Sequence, residues 1–408
     1  MPKKFTLAVA VITVLTVLVM LPLPREAEAS GRYNRVTVDD DGPADYADIQ
    51  EAVDFEPDGT RIEVQPGTYG GFAVIDRDDL RIEGKNKDTD VIVTVSIAVT
   101  TYRGTDTLTI AVVDSTAIEI KKLTVQAGAD DPFGIAYFNS TGKVKDNEVA
   151  GNTGNISPGN AIAAFGISNP GEVKIEKNFV HDYGKIGILA SSRLNGAGDY
   201  VPGGIFARIK DNIVVGTDFE DYYRVQDGIQ ITYGGSARIE KNDISGNLQT
   251  GGSRWTCDGI LIYAAYEVET RHNLIYNNKR GITIQKFVDY ARLERDDIQG
   301  NEWGLYTWNW MESTIEVEHA KIRKNQYGWV NFDSDGIICD RCQLKENTYG
   351  IYTDAAGTEN PAAAMNHCRI EKNTEFDVVQ GTEPNTLVLH KTRYDTYYNL
   401  GGGVLIEQ

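Results

Sequence analysis

Between about residues 140 and 380, apolar and polar residues alternate over short stretches that stop at Asn, Asp or Gly and then begin again. Val173-Lys-Ile-Glu-Lys-Asn178, Ala207-Arg-Ile-Lys-Asp-Asn212, Ala237-Arg-Ile-Glu-Lys-Asn242 and Ala291-Arg-Leu-Glu-Arg-Asp296 are versions of one segment. A second segment of the form Gly-Ile-x-Ile starts at Gly228, Gly259 and Gly281, and Gly187, Gly304, Gly328 and Gly350 extend the series. An apolar period of two marks a strand, and Asn, Asp and Gly are turn formers. The last repeats are 22 to 26 residues long, as the run Asn278, Asn301, Asn325, Asn347, Asn373 shows. That is too short for a strand–helix–strand crossover and fits short strands joined by turns. The pattern predicts an all-β fold, one right-handed parallel β-helix whose coils stack with neighbouring strands ~4.8 Å apart.

Two polar columns support this register. Asn247, Asn278, Asn301, Asn325, Asn347 and Asn373 hold one position in successive coils. Stacked there, their amides can bond to one another as a ladder, and Asn tolerates the left-handed backbone of a tight turn. A second ladder runs through Asn147, Asn178, Asn212, Asn242 and Asn273 to Asp296, Ala320, Cys342 and Cys368. It sets Cys342 and Cys368 on adjacent coils with Cα atoms about 5 Å apart, within disulfide reach, while a buried stack of free thiols fits equally well. The ladder accounts for the Cys339-x-x-Cys342 spacing without a redox or metal role.

The ends differ from the middle. Lys3 and Lys4, the apolar run from Phe5 to Leu23, and Ala27-Glu28-Ala29 read as a signal peptide over 1–29. That predicts a secreted, periplasmic or cell-surface protein, free of the membrane after cleavage, with the solenoid over 30–408. Tyr46 to Phe55 reads as a short capping helix with Ile49, Ala52 and Val53 on one face, inside an N-terminal cap of about 30–70. The Tyr- and Gly-rich tail, about 385–408, reads as the opposite cap.

Asp45-Tyr-Ala-Asp-Ile-Gln-Glu-Ala-Val53, followed by Ile62-Glu-Val-Gln-Pro-Gly-Thr-Tyr69, resembles the opening of pectin-lyase-like β-helix proteins. The resemblance implies the fold and leaves the activity open, because this scaffold carries lyases, hydrolases, epimerases, esterases, adhesins and a copper-loading maturation factor. Arg208-Ile-Lys210 spells a polygalacturonase motif, but here it is one copy of the repeat strand. The formal charge of −19 argues against nucleic acid and against an anionic membrane surface, which both reward Lys and Arg. An acidic polysaccharide would need a local basic patch or a bridging cation.

Candidate chemistry sits where the repeat is interrupted. Eight residues separate Asn273 from Gly281, but sixteen separate Asn212 from Gly228 and seventeen separate Asn242 from Gly259. Insertions of about 217–223 and 248–256 therefore leave the same turn on adjacent coils, and a third, about 194–203, leaves the opposite edge of the same sheet. Long loops on a rigid scaffold carry function. These would wall a trough, with Tyr222, Tyr223 and Trp255 on the loops.

The residue before each repeat Gly runs Ile186, Asp227, Asp258, Arg280, Trp303, Tyr327, Tyr349, so Asp227, Asp258 and Arg280 are expected to stack on the trough floor. Two carboxylates ~5 Å apart beside a guanidinium could share a proton as catalytic acid and base, hold calcium, or bind sugar hydroxyls. Asp-Gly is also an ordinary turn pair. Gln230, Tyr263, Gln285, Lys286, Tyr306 and Trp308 are expected on the outer face as substrate-binding positions, because exposed aromatic faces stack on sugar rings. The expected function is action on an acidic polysaccharide by lyase, hydrolase or epimerase chemistry. The protein is expected to be a monomer, with calcium as the one cofactor considered. One alternative is a non-catalytic glycan-binding or cell-surface structural module; another is a periplasmic maturation factor for a metalloenzyme, against which the scarcity of His and Met at ligand spacings counts.

Overall fold

The computed structural model describes residues 34–408 apart from 87–89, 152–158, 170, 195–197, 219–224, 250–256, 309–312, 333, 335, 356–361 and 402. The proposed leader, 1–29, lies outside the described residues. Among them no helix is long and apolar enough to cross a membrane.

Each coil contributes one strand to each of three sheets, which hold 15, 13 and 14 strands among the described residues. From Ile118 onward every third strand is a spatial neighbour. The pairings along these sheets are parallel; Ile97–Thr101, which runs antiparallel to Gly104–Val113, lies off that path.

The alternation in sequence becomes inside and outside. In the first sheet Val173, Ala207, Ala237, Val268, Ala291 and Ile315 stack in register and are buried. In the third sheet Ile188, Ile229, Ile260, Ile282, Leu305 and Trp329 do the same. Burying one large aliphatic side chain contributes ~1.5–3 kcal/mol, so these inner columns are the main stabilising feature.

Both ladders form. Asn212 gives its backbone N–H and its Nδ2 to Asn242 Oδ1 at 3.0 and 2.9 Å, and Asn242 does the same to Asn273 at 2.9 and 3.0 Å. The other ladder runs unbroken from Asn247 to Asn373. One detail corrects the sequence reading. The left-handed residue is not the Asn but the one before it: Lys177, Asp211, Lys241, His272 and Arg295 have φ between 55 and 58°. That backbone costs an L-residue ~1–2 kcal/mol. Its effect is to turn the following Asn inward, where each ladder bond returns roughly 0.5–1.5 kcal/mol.

Cysteines continue the second ladder. Cys342 N–H donates to Cys368 Sγ at 3.3 Å, and Cys368 N–H donates to Thr392 Oγ1 at 3.2 Å. All four cysteines are buried free thiols, so the thiol stack is the alternative that the structure holds.

The helix spans Ile49–Phe55 and buries Ile49, Ala52 and Val53. It starts at Ile49 rather than Tyr46 because Asp48 is its N-cap, accepting from the N–H groups of Gln50 and Glu51. Tyr46 instead bridges to Val38. At the other end, Asn385–His390, Arg393–Tyr394, Tyr397–Asn399 and Gly403–Glu407 add further strands to the three sheets.

Candidate functional site

The third sheet carries the expected column. Ile186 pairs with Asp227, Asp258 with Arg280, Arg280 with Trp303, and Trp303 with Tyr327. Asp258 N–H donates to Asp227 Oδ1 at 3.2 Å and joins the two aspartates. The glycine that follows each sets the direction of the column. A Cβ on Gly228 or Gly259 would strike core Ile244 or Ile275 and come within 2.7 Å of the next glycine's carbonyl. The glycine therefore faces inward, and its predecessor faces out.

On that outer face the groups make specific contacts. Asp258 Oδ1 accepts a hydrogen bond from the Thr283 hydroxyl. The Arg280 guanidinium lies 4.4 Å from the centre of the Trp303 ring and 4.0 Å from that of Tyr306. Its Nε has no hydrogen-bond partner among the described residues. Burial, and then the charge of Asp258, keep Asp227 protonated well above the ordinary carboxylate range. Burial also raises Asp258, to about 6, against the lowering effects of the Arg280 charge and the Thr283 bond. Burial thus favours the protonated form of both aspartates, and Asp258 is the one that the Arg280 charge draws toward ionisation.

Two expectations need correction. The floor is not open: Asp227 and Asp258 are 1% and 3% exposed, and Arg280 is 8% exposed. Tyr306 is not an exposed platform either, because one face packs on Arg280 and its ring centre lies 5.1 Å from that of Trp303. The expected sugar-binding positions also fall into two columns. Gln230, Leu261, Thr283 and Tyr306 form one, and Tyr263, Gln285 and Trp308 belong to the next. Gln230, Tyr263, Gln285 and Trp308 are half-buried, and Lys286 is exposed with Nζ 5.1 Å from the centre of the Tyr263 ring.

The third insertion stands beside Tyr263. Arg193 and Tyr200 bridge as a small hairpin, and both pack on Tyr233, whose ring centre is 5.7 Å from that of Tyr263. The other insertions fall largely in 219–224 and 250–256, so Tyr222, Tyr223 and Trp255 lie outside the described residues. Thr283, Trp303 and Cys257, whose Sγ accepts from Gln226 N–H at 3.2 Å, join the site without having been singled out. Trp303 was legible as the next member of the column; the diagonal contact of Thr283 has no counterpart in residue spacing.

Asp227 and Asp258 do not by themselves fit calcium, which takes about six to eight oxygens. Among the described residues, the groups of three or more Cys, His, Asp or Glu with converging ligand atoms are Cys339–Cys342–Cys368 and Asp39–Asp40–Asp41, and neither includes this pair.

A sequence profile described as a right handed beta helix region matches residues 109–316. The chain belongs to the right-handed β-helix family. The resemblance carried by residues 45–69 is borne out at the level of fold. Among solved structures, this β-helix protein is similar to the periplasmic alginate epimerase AlgG, with a TM-score of 0.50 at 13% identity over 89% of this chain and 83% of that one. The AlgE4 A-module of Azotobacter vinelandii, a mannuronan C-5 epimerase, gives 0.46 at 12%, over 88% and 92%. A hyperthermoactive exopolygalacturonase from Thermotoga maritima gives 0.46 at 10%, over 83% and 84%. At these identities the likeness is one of fold. No curated protein matches the sequence.

Proposed function

We propose that this β-helix protein is exported and acts on a uronate-bearing polysaccharide by moving a proton at the carbon next to the sugar carboxylate. That step is common to lyases and epimerases. The observation that carries the reading is a pair of buried aspartates on neighbouring coils, joined by the bond from Asp258 N–H to Asp227 Oδ1, beside a guanidinium with an unused donor. Arg280 would neutralise the uronate carboxylate and so acidify the adjacent C–H. Asp258, titrating near 6, is the base; Asp227, which keeps its proton, is the acid that serves the leaving oxygen or returns a proton. Hydrolysis fits less well, because its two carboxyl groups flank the scissile bond ~5–9.5 Å apart. Here one carboxyl is bonded to the backbone of the other residue.

Tyr263, Gln285, Lys286 and Trp308 would hold neighbouring sugars. Arg280, Lys286 and Arg193 supply the local positive charge that a chain of −19 needs in order to receive an acidic polymer. AlgG, which shares the architecture, is by name an alginate epimerase.

The test is incubation with a panel of uronate polymers, with and without calcium. Unsaturated ends, reducing ends and uptake of solvent deuterium at the sugar carbon are followed. Unsaturation or exchange on any polymer supports the proposal. Binding without either supports a second reading, a non-catalytic glycan-binding module, which the near-complete burial of Asp227 and Asp258 favours.

A further inference from the structure

Away from the third sheet, one group of side chains converges without a role in that chemistry. Cys339, Cys342 and Cys368 are buried, and their three Sγ atoms lie within 4.8 Å of one another. The register explains how. Cys339 faces the core from the strand Ile337–Asp340, and Cys342 takes the ladder position after it. In the next coil Met365 pairs with Cys339, and Cys368 sits over Cys342. Sulfur therefore occupies both inner positions in two adjacent coils.

The flanking coils show that packing does not demand it. Val317 and Ala320 hold these positions one coil earlier, and Leu389 and Thr392 hold them one coil later. The chain has four Cys and four Met, and four of those eight residues occupy inner positions of these two rungs.

We infer that these rungs form a binding site for a soft d10 metal ion of low coordination number, ligated by Cys339, Cys342 and Cys368 with the Met365 thioether alongside. Three thiolates at ~2.3 Å from an ion stand roughly 4 Å apart, inside the envelope the thiols already occupy. The donor set selects the ion. It is sulfur throughout, and the imidazole of His367, next in sequence to Cys368, is turned to the surface and bonded to Asp340 at 3.2 Å. Thiolate and thioether suit monovalent copper; a zinc site would want a fourth nitrogen or thiolate ligand, and hard cations want oxygen. Each thiol that ligates releases its proton to solvent as its sulfur bonds the metal, with no change in oxidation state.

The test is anaerobic titration of the reduced full chain with Cu(I) against a chromophoric Cu(I) chelator. Thiolate-to-copper charge-transfer absorption and X-ray absorption report the ligand shell. The expected result is one ion per chain in an all-sulfur shell, held at least about 100-fold more tightly than by Cys342→Ala/Cys368→Thr. That variant copies the flanking coils, so the ladder stays filled, and thermal unfolding checks that the fold survives. Equal affinity in the double variant overturns the inference. So does a count of free thiols, made before reduction, that finds two cluster cysteines already joined as a disulfide.

Discussion

The first and third sheets are built alike inside and differently outside. Both have aliphatic inner columns in unbroken parallel register. On the outer face of the first sheet, charged side chains from neighbouring coils form ion pairs. Lys143–Glu176, Arg238–Glu269 and Arg292–Glu318 pair at 2.8, 2.9 and 2.8 Å in partly exposed positions. Such pairs are worth about 1 kcal/mol or less and keep the surface wet. On the outer face of the third sheet, two aspartates and an arginine are buried together, and aromatic residues follow, with the Tyr327 and Tyr349 rings stacked at 5.0 Å. A solenoid sheet needs only an apolar inner face. The inner face does not require two carboxyl groups and a guanidinium to be buried on the outer one, and that difference is why the proposed chemistry is placed on the third sheet.

Breaking the acid pair should have the largest effect. Asp258→Asn preserves shape and is expected to lower turnover about 10²–10⁴-fold, while Arg238→Ala on the first sheet leaves turnover unchanged. Equal losses in a rate assay would erase the distinction between the faces.

The pH dependence of stability comes next. Asp227 and Asp258 have raised pKa values in the fold, so the native state keeps protons that the unfolded chain gives up near 4. The Asp258 contribution is full below that value and is lost as pH rises through about 6, a change of about 3 kcal/mol; Asp227 acts in the same direction. The first sheet works in the opposite sense. Burial would raise Glu83, but the Lys122 hydrogen bond and the charges of Lys121 and Arg61 hold it below its ordinary value. That contribution is present above about 4.5 and is lost as pH falls. Urea unfolding should therefore show a higher midpoint at pH 5 than at pH 8, and Asp227→Asn/Asp258→Asn should flatten much of the slope. Asp296, which burial raises to about 6, supplies a further part that Asp296→Asn should remove. A slope untouched by these substitutions would place the titration elsewhere.

Smaller effects sharpen the contrast. Trp303→Ala strips Arg280 of one of its two aromatic neighbours and should cost about 1–2 kcal/mol in denaturant unfolding, with weaker polymer binding. Arg238→Ala should cost less than about 1 kcal/mol, and added salt should shrink even that. A larger loss at Arg238 than at Trp303 would reverse the ranking of the two faces.

The coil, its register and the order of side chains along each column were legible because a parallel solenoid turns one repeat of sequence into one step of ~4.8 Å along an axis. Counting repeats alone placed Asp227, Asp258, Arg280 and Trp303 over one another, and Cys342 over Cys368. Contacts between columns were not legible. Thr283 on Asp258 and Tyr306 on Arg280 join positions at different depths within their repeats.

What the amino-acid sequence determined by itself is periodicity: strand, turn, ladder and column, each set by residue type at a fixed spacing. Tertiary structure alone decided which way each position faces and what covers it. It put the left-handed backbone one residue before the Asn, turned the repeat glycine toward the core, and closed over a floor expected to be open. Facing and cover arise when neighbouring coils compete for the same space, and no spacing along one chain records the outcome of that competition.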